Sequence, residues 1–202
     1  MTDFEIVVPF RGGNPLREKA LDEVLVHLQA LEAVLWVSDA PELEPFSPGA
    51  ARNRGAANVR AEVIVFNDAD TLAERRATLA AVRLAALEPG LVYAYTIYYR
   101  RDRFGNTERE LWNPPSLGCA AISRESFLEL GGFDERYRGW GYEDCAFATA
   151  AGERYGAPRR VEAAAFHLWH GGRRRDDSPE DSDAELVAAN LQRWTALAAS
   201  TS

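Results

Sequence analysis

The chain has 202 residues, 47% apolar and 27% charged, enough for one domain with a full hydrophobic core. A net charge of −8 argues against a broad electrostatic footprint on nucleic acid or an anionic membrane; the two basic runs, 100–103 and 173–175, read as solvated loop. Two cysteines, Cys119 and Cys145, without CxxC spacing exclude a disulfide framework and a zinc knuckle.

The N-terminus, MTDFEIVVPF, has no basic region before an apolar run, so neither signal peptide nor membrane anchor is expected, and a cytoplasmic protein is. EIVV (5–8) predicts a buried strand. Apolar residues at helical spacing over 16–31 predict a helix, AVLWVS (33–38) a second strand, and 48–59 a short helix opened by proline and glycine. EVIVFN (62–67) predicts a third strand, followed by a long helix over 71–87 capped by Thr71. Strand–helix alternation of this kind predicts a parallel sheet with crossover helices. Further on, 91–100 reads as one long tyrosine-rich strand, then a polar loop, a strand at 117–123 and a short helix at 124–130. A glycine-rich loop leads into an alanine-rich helix near 143–155. RVEAAAFHLWH (160–170) reads as a last strand, 173–183 as a mobile segment without apolar residues, and 184–197 as a closing helix.

Four groups of residues carry candidate chemistry. Asp68-Ala-Asp70 ends the third strand, and open α/β sheets bind ligands beyond the carboxyl ends of their strands. Two carboxylates this close raise each other's pKa unless a cation is near, and magnesium or manganese would supply one; a helix N-cap with a spare acid in the first turn also explains them. HLWH places His167 and His170 before two glycines. On a continuous strand they would face opposite ways, so sharing one metal requires the strand to end between them. One packed and one exposed histidine is the plainer alternative. The stretch GGFDERYRGWGYED (131–144) has four glycines around Trp140 and ends on Glu143 and Asp144. Glycine lets backbone approach a ligand, a tryptophan face suits a sugar ring, and the acids suit a helix start. Finally, Pro9, Phe10 and Arg11 leave the first strand where a nucleotide would lie, and Arg52 could meet a diphosphate.

In this order, VPFR, ARNRG, VFNDAD, GGFDERYRGWGYED and HLWH, the chain resembles the GT-A glycosyltransferases over about residues 4–172, and most of all the catalytic C-terminal domain of the β-1,4-galactosyltransferases. The resemblance implies a single α/β, Rossmann-like GT-A domain over 1–202 with a mostly parallel central sheet flanked by helices. It implies a cation, Mn2+ or Mg2+, on Asp70, His167 and His170; in the animal enzymes the first of that histidine pair is often methionine, so His167 is a departure. It implies a UDP-sugar donor, galactose or N-acetylgalactosamine, bound by Pro9, Phe10, Arg11, Asp39, Arg52, Asp68, Trp140 and Gly141. Asp144 matches the catalytic base, with Glu143 as its neighbour candidate. Related retaining enzymes carry Asn there, so Asp144 implies inversion. The acceptor hydroxyl is left open: a glycan, a protein, a metabolite or a modified nucleobase. The segment after His170 is expected to close over the donor, and without a membrane anchor or stem a Golgi enzyme is not implied.

Two other readings compete. A sugar-nucleotide pyrophosphorylase would share the sheet, but VVPFRGGNPLR only hints at its glycine-rich phosphate loop. A carbohydrate- or nucleotide-binding module without turnover would have no use for Asp70, Asp144 and His170 together.

Overall fold

In the computed structural model, which describes residues 2–139, 141–171 and 184–199, the first apolar run forms β1 (Phe4–Pro9), buried along its whole length. A strand buried on both faces belongs inside a covered sheet. β1 lies between β2 (Val34–Ser38) and β3 (Val63–Asn67), parallel to both. Helix α1 (Pro15–Gln29) begins where the Asn14 side chain accepts from the N–H groups of Leu16 and Arg17, with proline in the first turn. It buries Ala20, Leu21, Val24 and Leu28 along one stripe. Helix α2 (Pro48–Ala56) is capped by Ser47 and presses directly on the sheet: a Cβ on Gly55 would lie 2.4 Å from Val7 Cγ1. That close approach brings Arg52, one turn earlier, to the carboxyl ends of the strands.

The chain then departs from expectation. Thr71 does not cap a helix; it opens a short strand, β4 (Thr71–Ala73), and α3 (Arg75–Leu87) starts only after Glu74. The reason is local. Asn67 Nδ2 donates to the carbonyls of Asp68 and Thr71 (2.9 and 3.0 Å), closing a tight turn, and the Thr71 hydroxyl is paired with that of Tyr98 at 2.7 Å. The tyrosine-rich run 91–100 is two strands in two sheets, β5 (Val92–Tyr93) and β6 (Ile97–Arg101). The polar stretch behind it holds β7 (Thr107–Trp112), antiparallel to β6, where a loop was expected. After β8 (Cys119–Ser123), α4 (Arg124–Glu129) and α5 (Glu143–Tyr155), the run 160–170 also divides, into β9 (Arg159–Arg160) and β10 (Ala164–His167). Helix α6 (Ala184–Ala199) closes the chain.

The first sheet has the order β2-β1-β3-β8-β5-β9 and the second β4-β10-β6-β7. In the first, the β1/β2, β1/β3 and β5/β9 pairings are parallel, while β8 runs antiparallel to both of its neighbours, β3 and β5. The core sits around the first sheet, and the rings of Phe66, Phe127, Phe133 and Phe147 join β3, α4, α5 and the glycine-rich loop; Phe133 stacks on Phe147 at 4.2 Å. Among the described residues no helix is long and apolar enough to cross a membrane. The segment expected to be mobile, 173–183, lies outside the described residues, as do Gly172 and Trp140.

Candidate active site

The turn between β3 and β4 projects Asp70, and β4 then pairs antiparallel with β10, with Thr71 opposite His167. The strand ends at His167. Leu168 donates its N–H to the Asp70 carbonyl at 2.7 Å, and the chain bends so that His170 follows. The histidines therefore meet because the strand stops between them, as sharing a metal requires. Nε2 of His167 lies 3.5 Å and Nε2 of His170 3.1 Å from the same oxygen, Oδ2 of Asp70. The three donor atoms all fall within 4.8 Å of one another.

These residues fit a divalent cation. Ligand atoms about 2.1 Å from one octahedral ion, at right angles, are about 3 Å apart. His170 is only 5% exposed, and its Nε2 is buried without a hydrogen-bond partner despite its short distance to Asp70. Proximity without hydrogen-bond alignment suits two donors aimed at a common third point, and an orphaned buried polar atom is costly otherwise.

A second cluster gathers at Arg52, which is 2% exposed. Its guanidinium donates to Asp68 at 2.7 Å, Asp144 at 2.9 Å and Glu143 at 3.2 Å, and lies over the Phe133 ring. Arg52, a candidate diphosphate contact by sequence, thus joins the three acids as their common partner. The other oxygen of Asp144 accepts from the Leu117 N–H at 3.0 Å. Burial pushes the Asp144 carboxyl well above the usual range, against the pull of Arg52 and with the push of Glu143. Glu143 is 7% exposed.

The third cluster lies where β1 and β2 end. Arg11 donates to both oxygens of Asp39 (3.1 and 3.0 Å), to the Ala40 and Leu43 carbonyls and to Glu44, and covers the Phe46 ring. Pro9, at the end of β1, and Phe10, tied to the Ser38 carbonyl, complete it. So Pro9, Phe10, Arg11 and Asp39 come together at one strand end. Gly141 has a φ of +102° and open space at its Cβ.

Several residues that shape the site gave no sequence signal. Asn53 holds the backbone of Phe133 through both its amide groups (2.9 Å each), and the Ser47 hydroxyl donates to the Tyr137 carbonyl. On α6, Asn190 donates to the Arg138 carbonyl at 2.8 Å, and Trp194 stacks on Tyr142 at 5.5 Å. Tyr142 is held at a φ of +69° immediately before Glu143, a conformation costly for a side-chain-bearing residue. Only pairing over fifty residues apart reveals these contacts. Trp194→Ala is therefore expected to cost about 1–3 kcal/mol in chemical unfolding and to loosen the backbone at Tyr142. Unchanged protection of the Tyr142 and Glu143 amides in hydrogen exchange would refute that role for α6.

Part of the chain, residues 108–166, matches a protein family described as the N-terminal domain of galactosyltransferase; the match includes Glu143 and Asp144 and stops one residue before His167. No curated protein matches the chain by sequence. Among solved structures, the catalytic domain of Drosophila β-1,4-galactosyltransferase 7 with xylobiose is 16% identical, with 92% of this chain and 78% of that chain covered and a TM-score of 0.58. A mutant of the same enzyme with manganese, UDP-Gal and xylobiose is also 16% identical, covering 79% and 65%, with a TM-score of 0.53. A Pyrobaculum calidifontis mannosyltransferase with GDP-Man and Mn2+ is 20% identical, covering 85% and 57%, with a TM-score of 0.55. The chain thus spans between 57% and 78% of the length of these structures. At such identities the likeness establishes the fold, which is that of the GT-A glycosyltransferases.

Proposed function

We propose that this chain is a metal-dependent glycosyltransferase that moves a hexose, galactose or N-acetylgalactosamine, from a UDP-sugar to an acceptor hydroxyl with inversion. The observation that carries the reading is the Asp70–His167–His170 triad with its buried, unpartnered Nε2, set at the end of β3. The resemblance of the chain and the complexes formed by its structural neighbours support the same reading. A manganese ion held by these residues would neutralise the diphosphate leaving group. Imidazole ligands favour manganese over magnesium.

The remaining roles belong to the chain's own residues. Pro9, Phe10, Arg11 and Asp39 form the wall against which the nucleoside rests, on the β1/β2 side. Asp144 takes the proton from the acceptor hydroxyl as that oxygen attacks the anomeric carbon. Glu143 is turned towards α2, where a Cβ on Gly49 would meet its own Cβ at 3.8 Å, and its carboxylate is taken up by Arg52. Asp144, less buried at its side chain than Glu143, is the better base.

Calorimetry with UDP tests the metal. Affinity should rise with manganese, and Asp70→Ala or His170→Ala should each remove most of that rise. His167→Ala should weaken it as well. Equal UDP affinity with and without manganese would overturn the reading. Release of free UDP from a UDP-sugar separates a transferase from a binding module, and the absence of pyrophosphate exchange separates it from a pyrophosphorylase.

A further inference from the structure

The second sheet carries a charge arrangement that the donor and metal sites leave unused. Across its four strands, Thr71 stands opposite His167, His167 opposite Arg100, and Arg100 opposite Arg109. Residues paired in register share a face. The stacking of Tyr99 on Phe166, the pair one step back, confirms it at 5.5 Å for the opposite face. Arg100 and Arg109 therefore project on the same side of the sheet as the metal ligand His167, in one row leading away from it. Two arginines directly opposite each other destabilise a strand pair. Neither side chain has a hydrogen bond or ion pair among the described residues, and Arg109 is exposed.

The hairpin has acids that could have relieved this repulsion, yet it keeps them away. Glu110, paired with Tyr99, faces the other side, where it accepts from the Trp112 indole at 2.6 Å, and Glu108 is the unpaired residue of a bulge between Thr107 and Arg109. Asp102 is occupied within the turn by the N–H groups of Phe104 and Asn106. In the ladder, the face shared with His167 pairs these two cations with each other, and next to them Tyr98 with Leu111, so no paired carboxylate offsets them.

We propose that Arg100 and Arg109 form a subsite for an oxyanion, a carboxylate or phosphate, carried by the acceptor, so that the acceptor is an acidic molecule. This rests on the transferase reading above. The direction of the row separates acceptor from donor. The nucleoside wall lies at the ends of β1 and β2, in the first sheet. The row belongs to the second sheet and runs from β10 through β6 to its edge strand β7, and strands about 4.8 Å apart put Arg109 about 10 Å beyond His167. A diphosphate on the cation lies at the near end of the row; a further anion lies at the far end.

The test uses the whole chain saturated with UDP and manganese, so that the diphosphate position is filled, and titrates it with inorganic sulfate at low ionic strength. Wild type should bind sulfate, and the Arg100→Gln/Arg109→Gln double variant about tenfold more weakly. Both arginines are outside the core, so the variant should fold. Glucuronate and glucose 6-phosphate are then set to displace sulfate, with glucose as the neutral control; whichever acid competes better identifies the oxyanion. Equal sulfate affinity in the two proteins, or displacement by glucose as effective as by its acids, would overturn the subsite. Weaker UDP binding in the double variant would instead assign the arginines to the donor, also overturning it. Failure of the wild type to bind UDP with manganese, read before sulfate is added, would remove the transferase reading itself.

Discussion

Arg52→Met is expected to lose about 3–5 kcal/mol of folding stability, because removing one partner of a buried ion cluster leaves the others uncompensated. Arg52 is 2% exposed and binds Asp68, Glu143 and Asp144, which come from β3 and α5. Methionine fills much of the volume, so the loss is electrostatic and not a cavity. The pH dependence identifies the cause. Asp144 already has a raised pKa from burial, and Arg52 is the group that pulls it down. Without Arg52 it rises further. An acid whose folded pKa exceeds its unfolded value stabilises least when ionised, so stability falls as pH climbs from the ordinary carboxylate range, near about 4, through the raised value. The deficit of the variant relative to wild type should therefore be small in mild acid and largest above neutrality. Arg52→Lys should fall between the two, since a single ammonium cannot bridge three carboxylates. Urea midpoints for the three proteins at two pH values measure this, and a deficit below about 1 kcal/mol that does not vary with pH would refute the anchoring role.

The clustering of donor side chains was legible where it rested on residue type at a strand end. Asp70, His167 and His170 announce oxygen and imidazole donors, and VIVFN before them announces the buried strand that holds the first. The condition that β10 stop between the histidines followed from strand geometry alone. What could not be read was pairing between distant segments. Arg52 looks like a free cation in ARNRG because nothing local says that Gly55 presses α2 onto Val7 and drives the guanidinium into the acids. The run 91–100 has uniform strand character, and only the competing partners, β8 on one side and β7 and β10 on the other, break it at 94–96. β7 reads as loop because Glu108, Arg109 and Glu110 are all exposed and lie between Gly105 and Pro114. Thr71 has the character of a cap because a helix does follow, but Asn67 closes the turn first and hands Thr71 to the second sheet.

Asp144→Asn is expected to lower the transfer rate by roughly 10²–10⁴-fold, the usual contribution of a general base. The substitution also has a structural cost that must be separated from the chemical one. One carboxylate oxygen of Asp144 accepts from Arg52 and the other from the Leu117 N–H. An amide keeps one acceptor and turns a donor towards the other partner, which costs about 1–3 kcal/mol of stability. UDP affinity with manganese should survive, because Asp70, His167, His170 and the Arg11–Asp39 pair lie on other elements. The rate profile supplies the second reading. Burial holds the Asp144 pKa above the ordinary carboxylate value, so the wild-type rate should rise with pH along an acid limb displaced upward from that value. In Asp144→Asn this limb should vanish, whereas in Glu143→Gln, which loses an Arg52 contact but not the base, the rate should fall less and the limb should remain. A variant at position 144 that binds UDP normally and transfers at nearly the wild-type rate would rule out Asp144 as the base. A limb lost in Glu143→Gln and kept in Asp144→Asn would transfer the role to Glu143.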